Sequence, residues 1–267
     1  LLASPAYPFI NGRRTLPGTP FTLECKKCRE IYDYTQEAVK SILTSLEPDV
    51  MINCPKDGGI LKSLLGSPIL FINNRGVHAE IRTVRSTSTA INKLLGISMR
   101  GMLFDYEAIA EGSQFWGRIA GPDWMEPGQI EVALGRGQSR GFGWAELKLI
   151  PVEHKFKREF VYVAFSYLTP QKVLEWNGCK IELNRAWGRM MKVQAGWDMY
   201  RGIPRPIINL AAPGSIVYVR VSCSDESKAS AIFFGGIPVK LGDTWITGVN
   251  VFLSLDDYKG LLMGDIE

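Results

Sequence analysis

Hydrophobic residues recur at helical spacing in one clear stretch of the chain. Apolar side chains follow one another three and four positions apart from Ala38 to Leu46, and Pro48 prevents the helix from continuing. This pattern predicts a helix over residues 35–46. Residues 1–35 are instead rich in Pro, Gly and polar side chains, so we expect little regular structure there.

Most other apolar positions alternate with polar ones or form short runs of β-branched and aromatic residues, which is typical of strands. The predicted strands cover residues 68–72, 77–84, 102–109, 114–119, 130–134, 144–152, 160–167, 190–194, 215–221 and 244–253. A Glu-Gly pair at 111–112 predicts a hairpin, and a short helix is expected at 170–176. Strands with a few interspersed helices indicate an α+β fold.

The charged run of residues 153–159 separates two strand-rich regions. We therefore predict a domain boundary there, with a first domain over residues 1–152 and a second over residues 153–267. The opening residues Leu1-Leu2-Ala3 have neither an initiator methionine nor the layout of a signal peptide. We expect that further sequence precedes them.

Composition narrows the class of protein. The 267 residues are 46% hydrophobic and 22% charged, which is typical of a folded globular protein. Five cysteines, an odd number without framework spacing, argue against a secreted disulfide scaffold and for a reducing compartment, so we expect a cytoplasmic protein. The longest apolar run is shorter than the roughly 18 residues of a membrane helix, and we expect no membrane contact.

Residues 135–143 carry glycines and arginines between two predicted strands, in the pattern G-x-G-x-x-x-G-F-G. Glycine lets the backbone approach a ligand closely, and Arg136 and Arg140 are able to reach phosphate oxygens. Upstream, a group of basic residues is opposed only by Glu80: Arg75, Arg82, Arg85, Lys93 and Arg100. Both features favour a nucleic-acid partner, and a solvated basic face is the alternative.

Three other motifs compete for the glycine-rich loop. A dinucleotide fingerprint needs a glycine at position 140 and a helix afterwards, whereas residues 144–149 alternate like a strand. A nucleotide P-loop needs Gly-Lys followed by Ser or Thr, which the loop lacks. Residues 137–141 match the G-x-S-x-G elbow of esterases, but that elbow leads into a helix and the only downstream histidine, His154, is close in sequence. A plain hairpin turn is the remaining alternative.

The cysteines form two short ligand-like pairs. Cys25 and Cys28 are spaced as in a zinc knuckle, and Cys54 with Asp57 resembles a second knuckle whose last position is a carboxylate. Because zinc accepts thiolate and carboxylate ligands, these four residues predict a structural zinc site. The alternative is that the four residues hold no metal and the cysteines are ordinary thiols. Cys179 and Cys223 lack ligand spacing, and we expect them to be small packing residues.

The loop and the segment before it resemble the repeat-associated mysterious proteins (RAMPs) of CRISPR systems. Their signature is a G-x-G-x-x-x-G-F/Y-G loop near the end of a ferredoxin-like, RRM-related domain. Residues 82–93, read R-T-V-R-S-T-S-T-A-I-N-K, and Gly101-Met102-Leu103-Phe104 resemble the subunit that holds the 5′ tag of the CRISPR RNA in type III complexes, particularly the III-D form. The resemblance implies two ferredoxin-like units, the second degenerate, with the cysteine-containing segment as an insertion and the N-terminal part of the first unit missing.

The resemblance implies a non-catalytic RNA-binding subunit of a type III effector in antiviral defence. Such a subunit grips the 5′ repeat-derived tag of the CRISPR RNA and docks to the large polymerase-cyclase subunit and the backbone RAMP subunits. The residues expected to contact RNA are Arg82, Arg85, Thr87, Ser88, Thr89, Asn92, Lys93, Gly135, Arg136, Gly137, Arg140, Gly141 and Gly143. Their hydroxyl, amide and cationic groups suit phosphates and unstacked bases.

An enzymatic role is the alternative. Some relatives cleave CRISPR precursor RNA with a histidine, and His78 lies close to the basic segment. A lone histidine in a strand is more often structural, so we expect no enzyme activity.

Overall fold

A computed structural model describes residues 2–45, 53–72, 75–121, 126–135, 137–138, 141–152, 159–194, 196–198, 202–223, 225–241 and 244–263. The chain divides into two compact units. Unit 1 comprises residues 1–79, 115–122 and 153–267, and unit 2 comprises residues 80–114 and 123–152. The division into two ferredoxin-like domains, over residues 1–152 and 153–267, stays a prediction.

The elements up to residue 78 are β1 (Leu2–Ala3), β2 (Tyr7–Ile10), β3 (Arg13–Arg14), β4 (Leu16–Pro17), β5 (Thr22–Cys25), β6 (Ile31–Asp33), α1 (Thr35–Ser45), β7 (Leu61–Ser63), β8 (Pro68–Ile72) and β9 (Arg75–His78). Those of the middle are β10 (Thr83–Ile91), β11 (Ser98–Ile109), β12 (Gln114–Trp116), β13 (Ile119–Ala120), β14 (Gly128–Ala133) and β15 (Trp144–Leu149).

The remaining elements are β16 (Glu159–Ala164), β17 (Val173–Trp176), β18 (Cys179–Trp187), β19 (Met190–Gln194), β20 (Trp197–Asp198), β21 (Ile203–Pro204), β22 (Ile207–Ala211), β23 (Ile216–Cys223), α2 (Glu226–Gly235), β24 (Val239–Leu241), β25 (Thr244–Ile246), β26 (Phe252–Ser254) and α3 (Leu255–Met263). The fold is mostly β with three helices among the described residues, which agrees with the predicted α+β class. No helix in the described part of the chain is long and apolar enough to cross a membrane.

Unit 1 contains the hydrophobic core. Its largest sheets are antiparallel, one in the order β4-β8-β9-β6-β5-β7 and the other in the order β17-β18-β23-β16-β26. Helix α2 buries Ile232 and Phe233, and the Phe233 ring lies 4.8 Å from that of Tyr162 and 5.4 Å from that of Phe252. Each such buried side chain contributes about 1.5–3 kcal/mol to stability.

Unit 2 consists of two antiparallel hairpins, one formed by β10 and β11 and the other by β14 and β15. None of its described residues is fully buried. Large apolar side chains remain open to solvent, including Leu94, Leu103 and Trp144 at 96%, 71% and 68% exposure. A unit that buries this little of its own apolar surface has a surface suited to a partner.

The helix predicted at residues 35–46 is confirmed by α1, while Leu46 lies outside the described residues. Two further predictions are wrong. The hairpin expected at residues 111–112 does not form, because β11 pairs with β10 and β12 pairs with β2. The helix expected at residues 170–176 is replaced by strand β17, which pairs with β18 around a tight Asn177-Gly178 turn.

Asn-Gly pairs explain the strands that form at residues 173–187 and within residues 1–35 where the sequence analysis did not predict them. Asn177 and Gly178 both have positive φ, as the tight turns that favour β-hairpins require. The Asn11-Gly12 pair forms the same turn between β2 and β3, so residues 1–35 hold more strands than predicted. Helices α2 and α3 were also not predicted. Helix α3 does carry a start signal, because the Ser254 hydroxyl accepts a hydrogen bond from the Asp257 N–H.

Cys179 and Cys223 form a disulfide, contrary to the expectation that both are free packing residues. The two residues lie directly opposite each other on β18 and β23, and their Cα atoms are 4.2 Å apart. Sequence spacing does not reveal such a pair, because strand register alone brings the two positions together. Cys25, Cys28 and Cys54 are free thiols.

A buried carboxyl group in unit 1 makes stability depend on pH. Burial raises the pKa of Asp33 to about 6, although the hydroxyls of Thr35 and Thr22 donate hydrogen bonds to it. The folded state therefore holds this proton more tightly than the unfolded state, so the free energy of unfolding falls as pH rises from about 4 to about 6. We expect Asp33→Asn to remove this slope in urea unfolding curves measured across the window. The exposed Asp256→Asn is the control, and an unchanged slope in Asp33→Asn would contradict the assignment.

Candidate nucleic-acid interface and metal centre

The β10–β11 hairpin of unit 2 holds most of the residues predicted to bind RNA. Strand alternation divides them between two faces. Arg85, Thr87 and Thr89 share one face, and Ser88 lies on the other, opposite Phe104 of β11. Arg82 immediately precedes β10, and its carbonyl accepts a hydrogen bond from the Ala110 N–H. The predicted residues are thus brought together in one hairpin, but not on one surface.

The face with Arg85 also carries acidic groups. Arg85 forms a salt bridge with Asp105, and the Thr87 hydroxyl donates a 2.6 Å hydrogen bond to the same carboxylate. Glu107 lies directly opposite Arg85 in the register. The linear sequence showed only Glu80 near these cations, because β11 supplies the acidic residues from further along the chain. Arg85 is 73% exposed and exchanges partners at little cost.

Asn92 builds the turn at the tip of this hairpin. Its side-chain oxygen accepts hydrogen bonds from the N–H groups of Leu94 and Leu95, at 2.9 and 3.2 Å. This local turn uses the side-chain oxygen and not the amide NH₂, which is the donor expected to contact RNA. Lys93 is exposed in the same turn.

The glycine-rich loop connects β14 and β15. Gly135, Gly137, Gly141 and Gly143 all have positive φ, while Arg136 and Arg140 lie outside the described residues. The loop is closed at its base by a 2.7 Å hydrogen bond from the Leu134 N–H to the Gly143 carbonyl. A Cβ at position 143 would lie 2.1 Å from the Leu134 carbonyl oxygen, so the close approach requires glycine there.

An aromatic cluster joins the loop to the first hairpin. The Phe142 ring packs against Gly137, where a Cβ would lie 3.1 Å from it, and lies 6.4 Å from the ring of Tyr106. Tyr106 in turn packs edge-on against Phe104 at 5.5 Å. Sequence analysis did not assign these rings a role, although alternation along β11 places Phe104 and Tyr106 on one face. Phe104 is exposed and the other two rings are partly exposed, and rings of this kind are able to stack on unstacked bases.

The four predicted metal ligands come together in unit 1. One ligand atom from each of Cys25, Cys28, Cys54 and Asp57 lies within 4.8 Å of the others. The sulfurs of Cys28 and Cys54 are 3.7 Å apart, and the Cys25 sulfur is 3.4 Å from an Asp57 oxygen. These separations suit ligands that surround a single ion. The prediction that the four residues group together is confirmed, and the group is close enough to hold a metal.

The two halves of the cluster are built alike. The Arg29 N–H donates to the Cys25 carbonyl and the Gly58 N–H donates to the Cys54 carbonyl, and both donors have positive φ. The Cys25 sulfur accepts hydrogen bonds from the N–H groups of Lys27 and Cys28 at 3.3 and 3.4 Å. These two hydrogen bonds hold the Cys25 sulfur in a fixed position within its turn.

The fourth ligand is also held in place by the backbone. The Gly59 N–H donates to Asp57 and lowers the pKa of its carboxyl to about 2, against the opposing effect of desolvation. A Cβ at position 59 would lie 2.8 Å from the Cys25 sulfur, so the turn fits closely around the ligand atoms. Asp57 is therefore anionic at neutral pH, as a carboxylate must be to coordinate a metal.

His78, the predicted catalytic alternative, lies on β9 of unit 1. Its Nε2 is 3.4 Å from a Glu24 carboxylate oxygen, which also accepts from Arg29. This contact gives the ring a structural partner across the sheet.

No protein-family model and no curated protein sequence matches the chain. Solved structures do resemble it. One is a cryo-EM structure of the type III-B Cmr-beta bound to cognate target RNA and AMPPnP, with 13% identity, a TM-score of 0.39, and coverage of 81% of this chain and 67% of that chain. Another, of the type III-B Cmr-beta bound to cognate target RNA, has 16% identity, a TM-score of 0.40, and coverage of 81% and 65%. The chain spans about two thirds of the length of these neighbours.

Proposed function

We propose that this chain is a non-catalytic RNA-binding subunit of a type III CRISPR effector complex. In this proposal it grips the 5′ repeat-derived tag of the CRISPR RNA and docks to the large polymerase-cyclase subunit and to backbone RAMP subunits. The observation that carries the proposal is the contact between Tyr106 and Phe142. Tyr106 pairs with Ser86 across the β10–β11 hairpin, so this contact links the two segments that resemble the RAMP family, residues 82–93 and 135–143, within one exposed unit.

The chemistry of unit 2 supports single-stranded RNA as the ligand. Phe104, Tyr106 and Phe142 offer ring faces for unstacked bases, and Ser88 adds a hydroxyl on the same side of the hairpin. Stacking of this kind contributes about 1–3 kcal/mol per base. The glycine-rich loop supplies backbone N–H groups at close approach, which suits phosphate oxygens. The RNA bases would thus bind to the aromatic rings, and the RNA phosphates to the glycine-rich loop.

The apolar residues of unit 2 support protein partners as well. Leu94 and Leu95 at the hairpin tip are 96% and 66% exposed. A neighbouring subunit that covers them would recover hydrophobic free energy of about 25 cal/mol for each Å² removed from water. We assign this tip to docking within the effector.

We further propose that Cys25, Cys28, Cys54 and Asp57 hold a structural zinc ion, as a knuckle inserted in a ferredoxin-like unit. Three thiolates and one carboxylate form a closed set of the type that zinc prefers. The metal would tie the turn at residues 25–29 to the turn at residues 54–59. The chain is proposed to act in the cytoplasm.

The proposal assigns no chemical step to the chain. Endoribonuclease activity through His78 is the competing hypothesis, and labelled precursor RNA tests it directly. We expect the same absence of cleavage for the wild type and for His78→Ala. Cleavage by the wild type that His78→Ala abolishes would replace the proposed role with an enzymatic one.

Crosslinking tests the RNA-binding role. A guide RNA carrying photoreactive uridines in its 5′ tag is irradiated in the assembled complex, and crosslinked peptides are identified by mass spectrometry. We expect labels in residues 98–109 and 135–143, with none when the photoreactive group is moved to the 3′ end. Labels confined to other subunits would contradict the proposal.

The ion pair on the hairpin predicts how RNA affinity depends on salt. The logarithm of the RNA affinity should fall linearly with the logarithm of the salt concentration. We expect Arg85→Ala to make this slope shallower by about the contribution of one phosphate contact. Asp105→Asn should instead raise affinity a few-fold, because it frees Arg85 and removes a negative charge near the backbone. Fluorescence anisotropy from low to moderate salt measures both effects. Lys148→Ala removes a cation from the other hairpin as a control, and an unchanged slope in Arg85→Ala would exclude the contact.

A further inference from the structure

Unit 1 contains a pocket of about 260 Å³, lined mostly by apolar side chains, that the proposed function does not use. It lies where the β19–β22 ladder meets the β24–β25 hairpin, and Tyr167 closes one side. Val193 and Ile208 are opposite each other in the ladder and share one wall. Trp245 is half-exposed at the pocket and packs edge-on against Trp176, with ring centroids 5.4 Å apart.

Arg205 is the charged group of this pocket. Its side chain is partly buried, and its Nε is shielded from solvent without an acceptor among the described residues. A buried N–H without a partner is energetically costly. Native proteins rarely leave such a donor unpaired unless a ligand or a water completes it.

The backbone holds Arg205 in a defined position. Pro204 and Pro206 flank it and restrict the backbone torsions on both sides. The Arg205 N–H donates a 2.8 Å hydrogen bond to the Gly196 carbonyl, beside the ladder in which Trp197 pairs with Pro204. The unpaired donor is therefore presented by a preorganised segment, as a binding group requires.

The chemistry of the walls narrows the ligand. The pocket is smaller than the roughly 300–1,000 Å³ of typical small-molecule sites, so it suits one ring system carried on a longer chain. Arg205 is the one charged residue among those that line the pocket, so a buried phosphate or carboxylate would have a single cationic partner there, which makes burial of either anion costly. A nucleobase has two apolar faces that are able to pack against the apolar side chains of the pocket and the Trp245 ring. Its edge carries uncharged acceptor atoms that are able to accept a hydrogen bond from the Arg205 Nε–H.

We propose that this pocket binds a single unstacked nucleobase of the RNA, with an acceptor on the base edge facing Arg205. The inference rests on the proposed RNA-binding function and adds a second, base-specific site in unit 1. Base contacts specify sequence, whereas phosphate contacts mainly set affinity. The pocket would therefore be a place where the protein reads one base.

An abasic scan of the RNA tests this inference. Each nucleotide of a fluorescein-labelled RNA, carrying the tag of the organism's own CRISPR repeat, is replaced in turn by an abasic ribose. Affinities are measured by anisotropy for the full chain and for Arg205→Leu. We expect one abasic position to weaken wild-type binding about 5- to 150-fold, as the loss of one stacked base does. The same position should have little further effect in Arg205→Leu.

Two additional variants keep the result interpretable. Arg205→Lys retains the charge but lacks the planar Nε donor, so it should also lose discrimination at that position. Arg185→Leu removes an exposed arginine from β18 and should leave the abasic profile unchanged. Thermal unfolding of each variant shows whether the fold is retained.

The possible outcomes separate the two proposals. RNA binding in which every abasic position affects Arg205→Leu as much as the wild type would overturn the pocket and leave the proposed function intact. Uniform weakening with a reduced salt slope would identify a phosphate contact and overturn the base assignment. Loss of partner-subunit association with a flat abasic profile would assign the pocket to a protein. Absence of RNA binding by the wild-type chain would reject both proposals.

Discussion

Chelation of the metal proposed at Cys25, Cys28, Cys54 and Asp57 is expected to lower the unfolding temperature and to disorder the two knuckle turns. Without an ion, three thiols and a carboxylate lie within 4.8 Å of one another with no cation among them. Structural zinc sites supply much of the folding free energy of small domains. In this larger unit we expect a loss of at least a few kcal/mol.

Metal content and cobalt spectra measure this effect. The purified wild type should contain one zinc per chain, and Cys54→Ser should lose it. Asp57→Cys is the matched variant, because it completes a four-thiolate set and should retain the metal. Replacement by cobalt should give tetrahedral absorption bands in the wild type and stronger thiolate charge-transfer bands in Asp57→Cys. A wild-type protein that contains no zinc and binds none on titration would establish that the cysteines are ordinary thiols.

Gly143→Ala is expected to weaken binding of the tag RNA by tenfold or more. The substitution places a Cβ 2.1 Å from the Leu134 carbonyl oxygen and adds a side chain where φ is +84°. The positive φ alone costs about 1–2 kcal/mol. The clash must in addition displace the backbone and break the hydrogen bond from the Leu134 N–H to the Gly143 carbonyl. The aromatic cluster would then lose the position of Phe142.

Gly141→Ala separates the two causes. Gly141 has the same φ of +84°, but a Cβ there has no atom within 4 Å. Gly141→Ala should therefore destabilise the loop only through the unfavourable positive φ, and it should reduce RNA affinity less than Gly143→Ala does. Hydrogen exchange at the Leu134 amide should accelerate in Gly143→Ala and change little in Gly141→Ala. Equal RNA affinity in the wild type and Gly143→Ala would contradict a role for the loop in binding.

Local signals explain which elements were predictable. Helix α1 was predicted because its apolar residues recur at helical spacing and Ala38 and Val39 are indeed buried. The β17–β18 hairpin was missed although Asn177-Gly178 is a strong turn signal, since the preceding residues were interpreted as a helix. The pairing of β11 with β10 instead of β12 depends on long-range register, which local alternation does not specify.

The sequence by itself determined which chemistry the chain offers: four metal-ligand side chains in knuckle spacing, and a glycine-rich loop with basic residues nearby. The spacing of these ligands and glycines is a local property of the sequence, so it is visible without the folded structure. Only the tertiary structure decided which groups meet. Strand register set Asp105 against Arg85 and opposed Cys179 to Cys223, and packing of the glycine-rich loop brought the Phe142 ring to 6.4 Å from that of Tyr106. Such contacts arise because folding brings residues that are distant in sequence to adjacent positions. The number of residues between them does not indicate which of them will meet.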